Sequence, residues 1–306
     1  MNPLSYTEYE ASLKSIETEN YIDRFFFRPV GFLIAKLLSN TCITPNAITI
    51  ISIFIGAAAG PLFYLHKIQF TLAGILCLIL ANILDCVDGQ LARLTHKKSN
   101  IGRILDGLAG DIWFTVIYVF LALRLKNEFG TSLFFIPAVF SGLSHLLQAN
   151  ITDYYKTLHL YFVSKEKGQE FQNFEEINSQ YKQMKRGCRK ALFFFYSVYT
   201  SFQEAVTPRL QQMLKHLHAR YGDDIPEEIR IDFRRQSKRL MKIFIDLMTF
   251  NSRAAILIIA VLTGYVWIYF LFEIIMLNLI LLLSIYLHEK ICTKIILKDE
   301  EKRFRV

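Results

Sequence analysis

Asp85-Cys-Val-Asp88-Gly89-Gln-Leu-Ala92-Arg93, eight further residues, then Gly102-Arg-Ile-Leu-Asp106-Gly-Leu-Ala-Gly110-Asp111, is the stretch on which the reading of this chain turns. It holds four carboxylates, Asp85, Asp88, Asp106 and Asp111, placed at the ends of two apolar segments. One segment, 70–84, runs straight into Asp85; the other, 112–123, leaves Asp111 without a charge. Carboxylates at the edge of a bilayer are costly unless they face an interior and bind something. Hard divalent cations, which take oxygen ligands, would compensate them.

The spacing supports a site. Asp85 and Asp88 are three residues apart on one helix and project from one face. Gly89 and Ala92 leave room for a ligand close to the backbone, and Arg93 adds a rigid cationic fork suited to phosphate. Gly102 and Asp106 open the next helix. The competing explanation is that each Asp caps a helix or pairs with Lys97, Lys98 or Arg103. That account fits a single Asp better than it fits the whole array.

These residues resemble the motif of the CDP-alcohol phosphotransferases, also called CDP-alcohol phosphatidyltransferases. The motif runs Asp, two residues, Asp-Gly, two residues, Ala-Arg, eight residues, Gly, three residues, Asp, three residues, Asp. Asp85, Asp88, Gly89, Ala92, Arg93, Gly102 and Asp106 match in type and spacing. The last position holds Gly110, and the carboxylate follows one residue later as Asp111. The resemblance implies two divalent ions, Mg2+ or Mn2+, on Asp85, Asp88, Asp106 and Asp111, with Asp111 as the catalytic base. It implies nucleotide or phosphate contacts at Gly89, Ala92, Arg93 and Gly102, and at Ser99, where related sequences often carry a hydroxyl. Asn46 and Thr49 fall in a Pro-Asn-x-x-Thr pattern that the family also shows; their alternative role is local helix capping. On a regular helix Asp111 lies roughly 140° round from Asp106. Either it is a bystander, or a one-residue π-bulge eased by Gly107 and Gly110 turns it toward the metals.

Composition places this array in a membrane protein. Hydrophobic residues make up 53% of the chain and aromatics 14%, gathered in blocks rather than spread through a soluble pattern. The net charge of +8 fits basic loops facing the cytoplasm and anionic lipid better than it fits nucleic acid. The five Cys are scattered and contain no C-x-x-C pair, so neither a disulfide framework nor a zinc site is expected.

In chain order, residues 1–46 form an N-terminal region. Its first 23 residues lack an apolar signal-peptide core, and residues 24–38 form an interfacial amphipathic helix. Residues 47–150 hold four spans, at about 47–65, 69–93, 101–123 and 131–149, with a polar turn over 124–130. His145, near the end of the fourth, is expected to hydrogen-bond between helices rather than to catalyse. Residues 151–247 are rich in charge and read as a helical cytoplasmic insertion. Residues 248–306 give spans five and six as a hairpin turning near 269–273, then a basic tail. Arg253, beside Asn251 and Ser252, is read as lying at the mouth of span five, where it either snorkels to the interface or binds an acceptor phosphate. Of the Lys and Arg, only Lys67, Arg124 and Lys126 fall on the far-side turns, which places the Asp array at the cytoplasmic face.

The fold class is therefore an all-α membrane protein with six transmembrane helices, an N-terminal interfacial helix and a cytoplasmic insertion. The resemblance implies transfer of a substituted phosphoryl group, most simply phosphatidyl from CDP-diacylglycerol, to an acceptor hydroxyl with release of CMP. Inositol phosphate, glycerol phosphate, serine or an amino-alcohol arrangement with diacylglycerol are all compatible with the motif; Lys97, Lys98, Arg103 and Arg253 supply cations beyond those the diphosphate requires, which favours inositol phosphate or glycerol phosphate as acceptor. The site would lie on the cytoplasmic side of the membrane, the inner membrane if the cell is bacterial. A homodimer stays open, and nucleic acid is not an expected partner. Two other readings remain. A Mg-dependent membrane prenyltransferase also uses Asp-x-x-Asp, but would place its second Asp motif in a separate half. A cation transporter would bury its carboxylates at mid-membrane in repeated, discontinuous helices.

Overall fold

The computed structural model describes residues 3–13, 19–97, 99–163, 171–185, 187–222 and 224–304. Among them there is no strand. The helices in chain order are α1 (Pro3–Ser12), α2 (Arg28–Leu38), α3 (Pro45–Tyr64), α4 (Ile68–Leu94), α5 (Asn100–Phe129), α6 (Phe135–Val163), α7 (Phe174–Gln183), α8 (Cys188–Val206), α9 (Pro208–Tyr221), α10 (Glu227–Leu240), α11 (Phe250–Thr263), α12 (Trp267–Leu271) and α13 (Leu277–Phe304). Short π-helical segments at Asp23–Phe27, Met241–Ile245 and Phe272–Met276 precede α2, follow α10 and lead into α13. Among the described residues, six stretches are long and apolar enough to cross a membrane: Pro45–Tyr64, Ile68–Leu94, Gly102–Phe129, Ser132–Val163, Glu227–Thr263 and Trp267–Glu301.

Two compact units form, one of Met1–Leu147 with Phe250–Asn278, the other of Gln148–Thr249 with Leu279–Val306. In the first, α3 packs along both α4 and α5. Small residues permit this. A Cβ on Gly56 would sit 2.5 Å from the Trp113 ring, one on Gly60 would sit 3.0 Å from Val116, and one on Gly74 would sit 2.6 Å from Phe63. Backbones that approach this closely gain packing that lipid cannot supply. The starts of α3 and α5 are also encoded locally. The Thr44 side chain accepts the Ala47 N–H ahead of Pro45, and the Ser99 hydroxyl accepts the Gly102 N–H. Gly130, at φ 71°, closes α5 in the left-handed region.

The second unit is built from α7–α10 with the chain on either side of them. His288 stacks on Tyr155 with ring centroids 4.0 Å apart, and Phe162 stacks on Phe233 at 4.2 Å. Glu289 accepts the Arg209 and Leu210 N–H groups at the start of α9. Asp299 receives His216 Nε2, Arg220 Nη1 and the Tyr221 hydroxyl.

Two turns differ from the sequence expectation. The polar residues at 124–130 do not end the third span at Leu123; α5 continues to Phe129. Arg124 is buried there and donates to the Phe63 carbonyl at 3.2 Å. That carbonyl is among the last of α3, which have no partner within their own helix. The hairpin near 269–273 turns earlier, at Gly264–Val266, where Gly264 takes φ 86°. Tyr269 and Glu273 lie instead inside the following helical segments, both buried.

The Gly56 contact yields a direct test. Gly56→Ala drives a methyl into a buried indole, and overpacking of this kind costs about 1–3 kcal/mol. A Cβ on Gly107 meets nothing within 4 Å, and removing an exposed helical glycine gains up to about 1 kcal/mol. Thermal unfolding in detergent should therefore fall clearly for Gly56→Ala and stay level or rise for Gly107→Ala.

Candidate active site

The C-terminal end of α4 and the N-terminal end of α5 bring three of the four carboxylates together. Asp85, Asp88 and Asp106 each offer an oxygen within 4.8 Å of the others'. Asp88 is buried, Asp85 half-buried and Asp106 exposed. From the first turn of α3, the Thr49 hydroxyl donates to Asp88 Oδ2 at 2.5 Å. Thr49 thus fixes a carboxylate of the cluster, a role beside the capping and phosphate contacts expected of it.

The other residues of the motif surround this cluster. A Cβ on Gly102 would lie 2.6 Å from Asn46 Oδ1 and 3.0 Å from Ser99 Oγ, so the first turn of α5 closes against the first turn of α3 at a glycine. The Arg93 guanidinium lies over Gly89, its Nη2 at 3.3 Å from where a Cβ would stand. Ala92, on the same turn, is half-buried. Asn46, Thr49, Gly89, Ala92, Arg93, Ser99 and Gly102 all therefore sit at one end of α3, α4 and α5. Lys97, in the connection, is exposed. Lys98 lies outside the described residues.

Asp111 is placed differently. α5 is α-helical throughout Asn100–Phe129, with no π-bulge at 107–111, so the helix carries Asp111 round to another face. It is not a member of the acidic group. Its Oδ1 lies 3.5 Å from His145 Nε2 on α6. The expectation that Asp111 gathers with the other three carboxylates is not met by this geometry.

Arg253 is likewise not at an interfacial mouth. It is 2% exposed, forms an ion pair with Glu273, and places Nη1 3.0 Å from His145 Nδ1. It neither snorkels nor presents an uncommitted charge to an acceptor phosphate. A guanidinium only donates, so His145 Nδ1 accepts from it and the ring proton belongs on Nε2, facing Asp111. The Tyr118 hydroxyl lies 3.1 Å from the same Nδ1. A chain of buried polar groups, Glu273–Arg253–His145–Asp111, thus runs between α11, α6, α5 and the π segment before α13. Glu273 carries a signal in sequence. A lone Glu in an apolar stretch, 20 residues from a lone Arg, marks a pair more often than a turn.

The donor chemistry of the acidic group fits a divalent cation. Three carboxylates so close repel one another strongly unless a cation stands among them. Their hard oxygens suit Mg2+ or Mn2+ rather than a soft metal. A second cluster, His288, Glu289 and Cys292, also has ligand atoms within 4.8 Å. Both Glu289 oxygens there already accept backbone N–H groups, which accounts for that carboxylate as a helix cap.

The stretch that carries the site is similar to known proteins. Residues 42–167, which carry α3, α4 and α5 entire, match the family model described as CDP-alcohol phosphatidyltransferase. Among individual proteins, the chain is 45% identical over 73 residues to archaetidylinositol phosphate synthase of Pyrococcus horikoshii, covering 24% of this chain and 37% of that protein. It is 42% identical over 72 residues to a CDP-diacylglycerol–serine O-phosphatidyltransferase of Helicobacter pylori, covering 24% and 29%. The chain thus spans about a third of the length of the curated relatives it matches.

The buried pair can be tested apart from any activity. Removing one partner strands a charge in a water-free interior and costs about 3–5 kcal/mol, whereas replacing both by packed apolar side chains is close to neutral. Glu273→Ala should therefore lower the thermal midpoint strongly, and Arg253→Met with Glu273→Leu should recover most of the loss.

Proposed function

We propose that the protein is an integral membrane transferase that moves a phosphatidyl group from CDP-diacylglycerol, or a related CDP-alcohol, to the hydroxyl of a small acceptor. CMP is released. The observation that carries this reading is the gathering of Asp85, Asp88 and Asp106 from two helix ends, inside the stretch that matches the family. The prenyltransferase and transporter readings leave the surrounding Gly89, Ala92, Arg93 and Gly102 unexplained.

The geometry supports the following roles. Divalent ions held by Asp85, Asp88 and Asp106, two by the family resemblance, would neutralise the diphosphate and stabilise the leaving CMP oxygen. Thr49 holds Asp88 in place by its hydroxyl. Arg93, fixed over Gly89, meets the phosphates as a planar fork. Asn46, Ser99 and Gly102 lie at the N-terminal ends of α3 and α5, whose backbone N–H groups and dipoles favour anions. Asp106, the exposed carboxylate, takes the acceptor's hydroxyl proton. The acceptor oxygen bonds to the phosphorus that carries the alcohol, and that phosphorus loses its bond to the CMP oxygen.

A site at the end of three membrane-length helices lets lipid tails stay in the bilayer while the nucleotide stays in water. The distribution of Lys and Arg supports a cytoplasmic location for it. The names of the relatives support headgroup synthesis with either a phosphorylated polyol or serine as acceptor. Lys97 and Arg103, beside the cluster in sequence, favour a phosphorylated polyol such as inositol phosphate or glycerol phosphate.

CMP release should be measured with purified protein in lipid, CDP-diacylglycerol and a panel of acceptors. Chelation should abolish release, and Mg2+ or Mn2+ should restore it; full activity in excess chelator would sink the reading. Asp88→Asn and Asp106→Asn should each lower kcat by about 100-fold or more, while Asp111→Asn should stay within about an order of magnitude. A folded Asp111→Asn protein as dead as Asp106→Asn would return the base to Asp111.

A further inference from the structure

The N-terminal residues 3–38 lie outside the stretch that matches the family, yet they reach the motif. α1 ends at Ser12, and the Arg93 Nε donates to the Ser12 carbonyl. Beside it, Gln90 Nε2 donates to the Ser12 hydroxyl at 3.2 Å and to the Arg28 carbonyl at 3.1 Å. The Ser12 hydroxyl in turn donates to the Tyr9 carbonyl at 2.7 Å. Ser12 and Gln90 are both fully buried. α2 is held against the same turn of α4, since a Cβ on Gly31 would lie 2.6 Å from Gln90 Oε1 and 3.0 Å from Cys86 Cβ. Tyr9 ties α1 to this segment by its hydroxyl on the Arg24 carbonyl and its ring against Phe32.

The chemistry of these contacts is directional. The last carbonyls of a helix lack partners and carry its negative end, so a guanidinium is a favourable cap for α1. Using Nε for that cap fixes the plane of the Arg93 fork. Its Nη1 and Nη2 then lie over Gly89, one residue beyond Asp88 of the acidic cluster. An unanchored Arg has several freely turning bonds and would have to be ordered by the ligand at an entropic cost.

We propose that α1 is part of the phosphate-binding site, with Ser12 and Gln90 as positioning residues that hold Arg93 for the diphosphate of a CDP-alcohol. This deepens the transferase reading and rests on it.

The test uses the full chain in lipid, with CDP and Mg2+ as probe. Calorimetry measures binding, and hydrogen exchange follows the amides of residues 8–13. CDP should bind and slow exchange in α1, because the ligand completes the network that α1 begins. Gln90→Ala should weaken CDP binding and raise the KM for CDP-diacylglycerol about 10-fold, with kcat within about 3-fold. It should also erase the slowing in α1. CDP binding with no change in α1 exchange would overturn the proposal while leaving the transferase reading intact. Faster exchange in α1 on binding would also overturn it, in favour of a latch that substrate displaces. No CDP binding by the folded wild-type protein would sink the transferase reading and this one with it. Where Gln90→Ala does not fold, the exchange measurement on the unmodified chain decides alone.

Discussion

The close approach of α3 to its two neighbours is the constraint on which the site depends. Gly56 admits the Trp113 ring from α5, and Gly60 admits Val116 and Phe120 from the same helix. Gly74 of α4 admits Phe63 from α3. Lipid tails are as apolar as the side chains they would replace, so a bundle of this kind is held by packing contact more than by escape from water. The consequence is felt at the helix ends. With α3 against both α4 and α5, the last turns of α4 and the first turns of α5 end beside the first turn of α3. Thr49 can then reach Asp88, and Asn46 can reach Gly102. The carboxylate cluster is the product of that packing. Mutual repulsion among its members would push it apart.

A second electrostatic arrangement has the opposite logic. The acidic cluster concentrates like charges and needs an outside cation. The Glu273–Arg253–His145–Asp111 chain is internally complementary. Its carboxylate and guanidinium stabilise each other where neither could stand alone. His145, between Arg253 and Asp111, has its tautomer set by the donor on Nδ1. This separates two arrangements that the sequence had merged: clustered carboxylates at the end of α4 and α5, and a closed network on the other face of α5.

How much of this was legible in the sequence depended on whether one helix or several decided the matter. The spans were legible because apolar length within one segment fixes them. The Asp85, Asp88 and Asp106 cluster was legible because its spacing sits in one motif. Thr44 and Ser99 cap helices that begin within a residue or two of them, so those contacts are local too. Arg124 and Glu273 look like turn residues in sequence because a polar side chain in an apolar chain suggests water. Their partners, the Phe63 carbonyl and Arg253, lie on other helices, and nothing local announces them. Gly264, the true turn residue, was present in sequence, but the charge at Glu273 outweighed it. Ser12 carried no signal at all, since its partner Arg93 is 81 residues away and the contact uses a backbone carbonyl.

Asp111 shows how a single residue of spacing converts into position. A helix advances about 100° per residue, so an Asp at position 110 would stay within about 40° of Asp106, while one at 111 falls roughly 140° away. A π-bulge would absorb the extra residue, and the chain does form π segments at three other places. It forms none here, where Asp111 finds His145 on the face it already occupies and gains nothing from turning back. Gly110 then stands where a carboxylate might have been, with nothing within 4 Å of where its side chain would begin. The site is left with three clustered carboxylates and open space at the fourth position. Under the proposed transfer, this arrangement favours Asp106, or a group the substrate itself brings, as the acceptor of the hydroxyl proton, and a phosphorylated acceptor carries such a group.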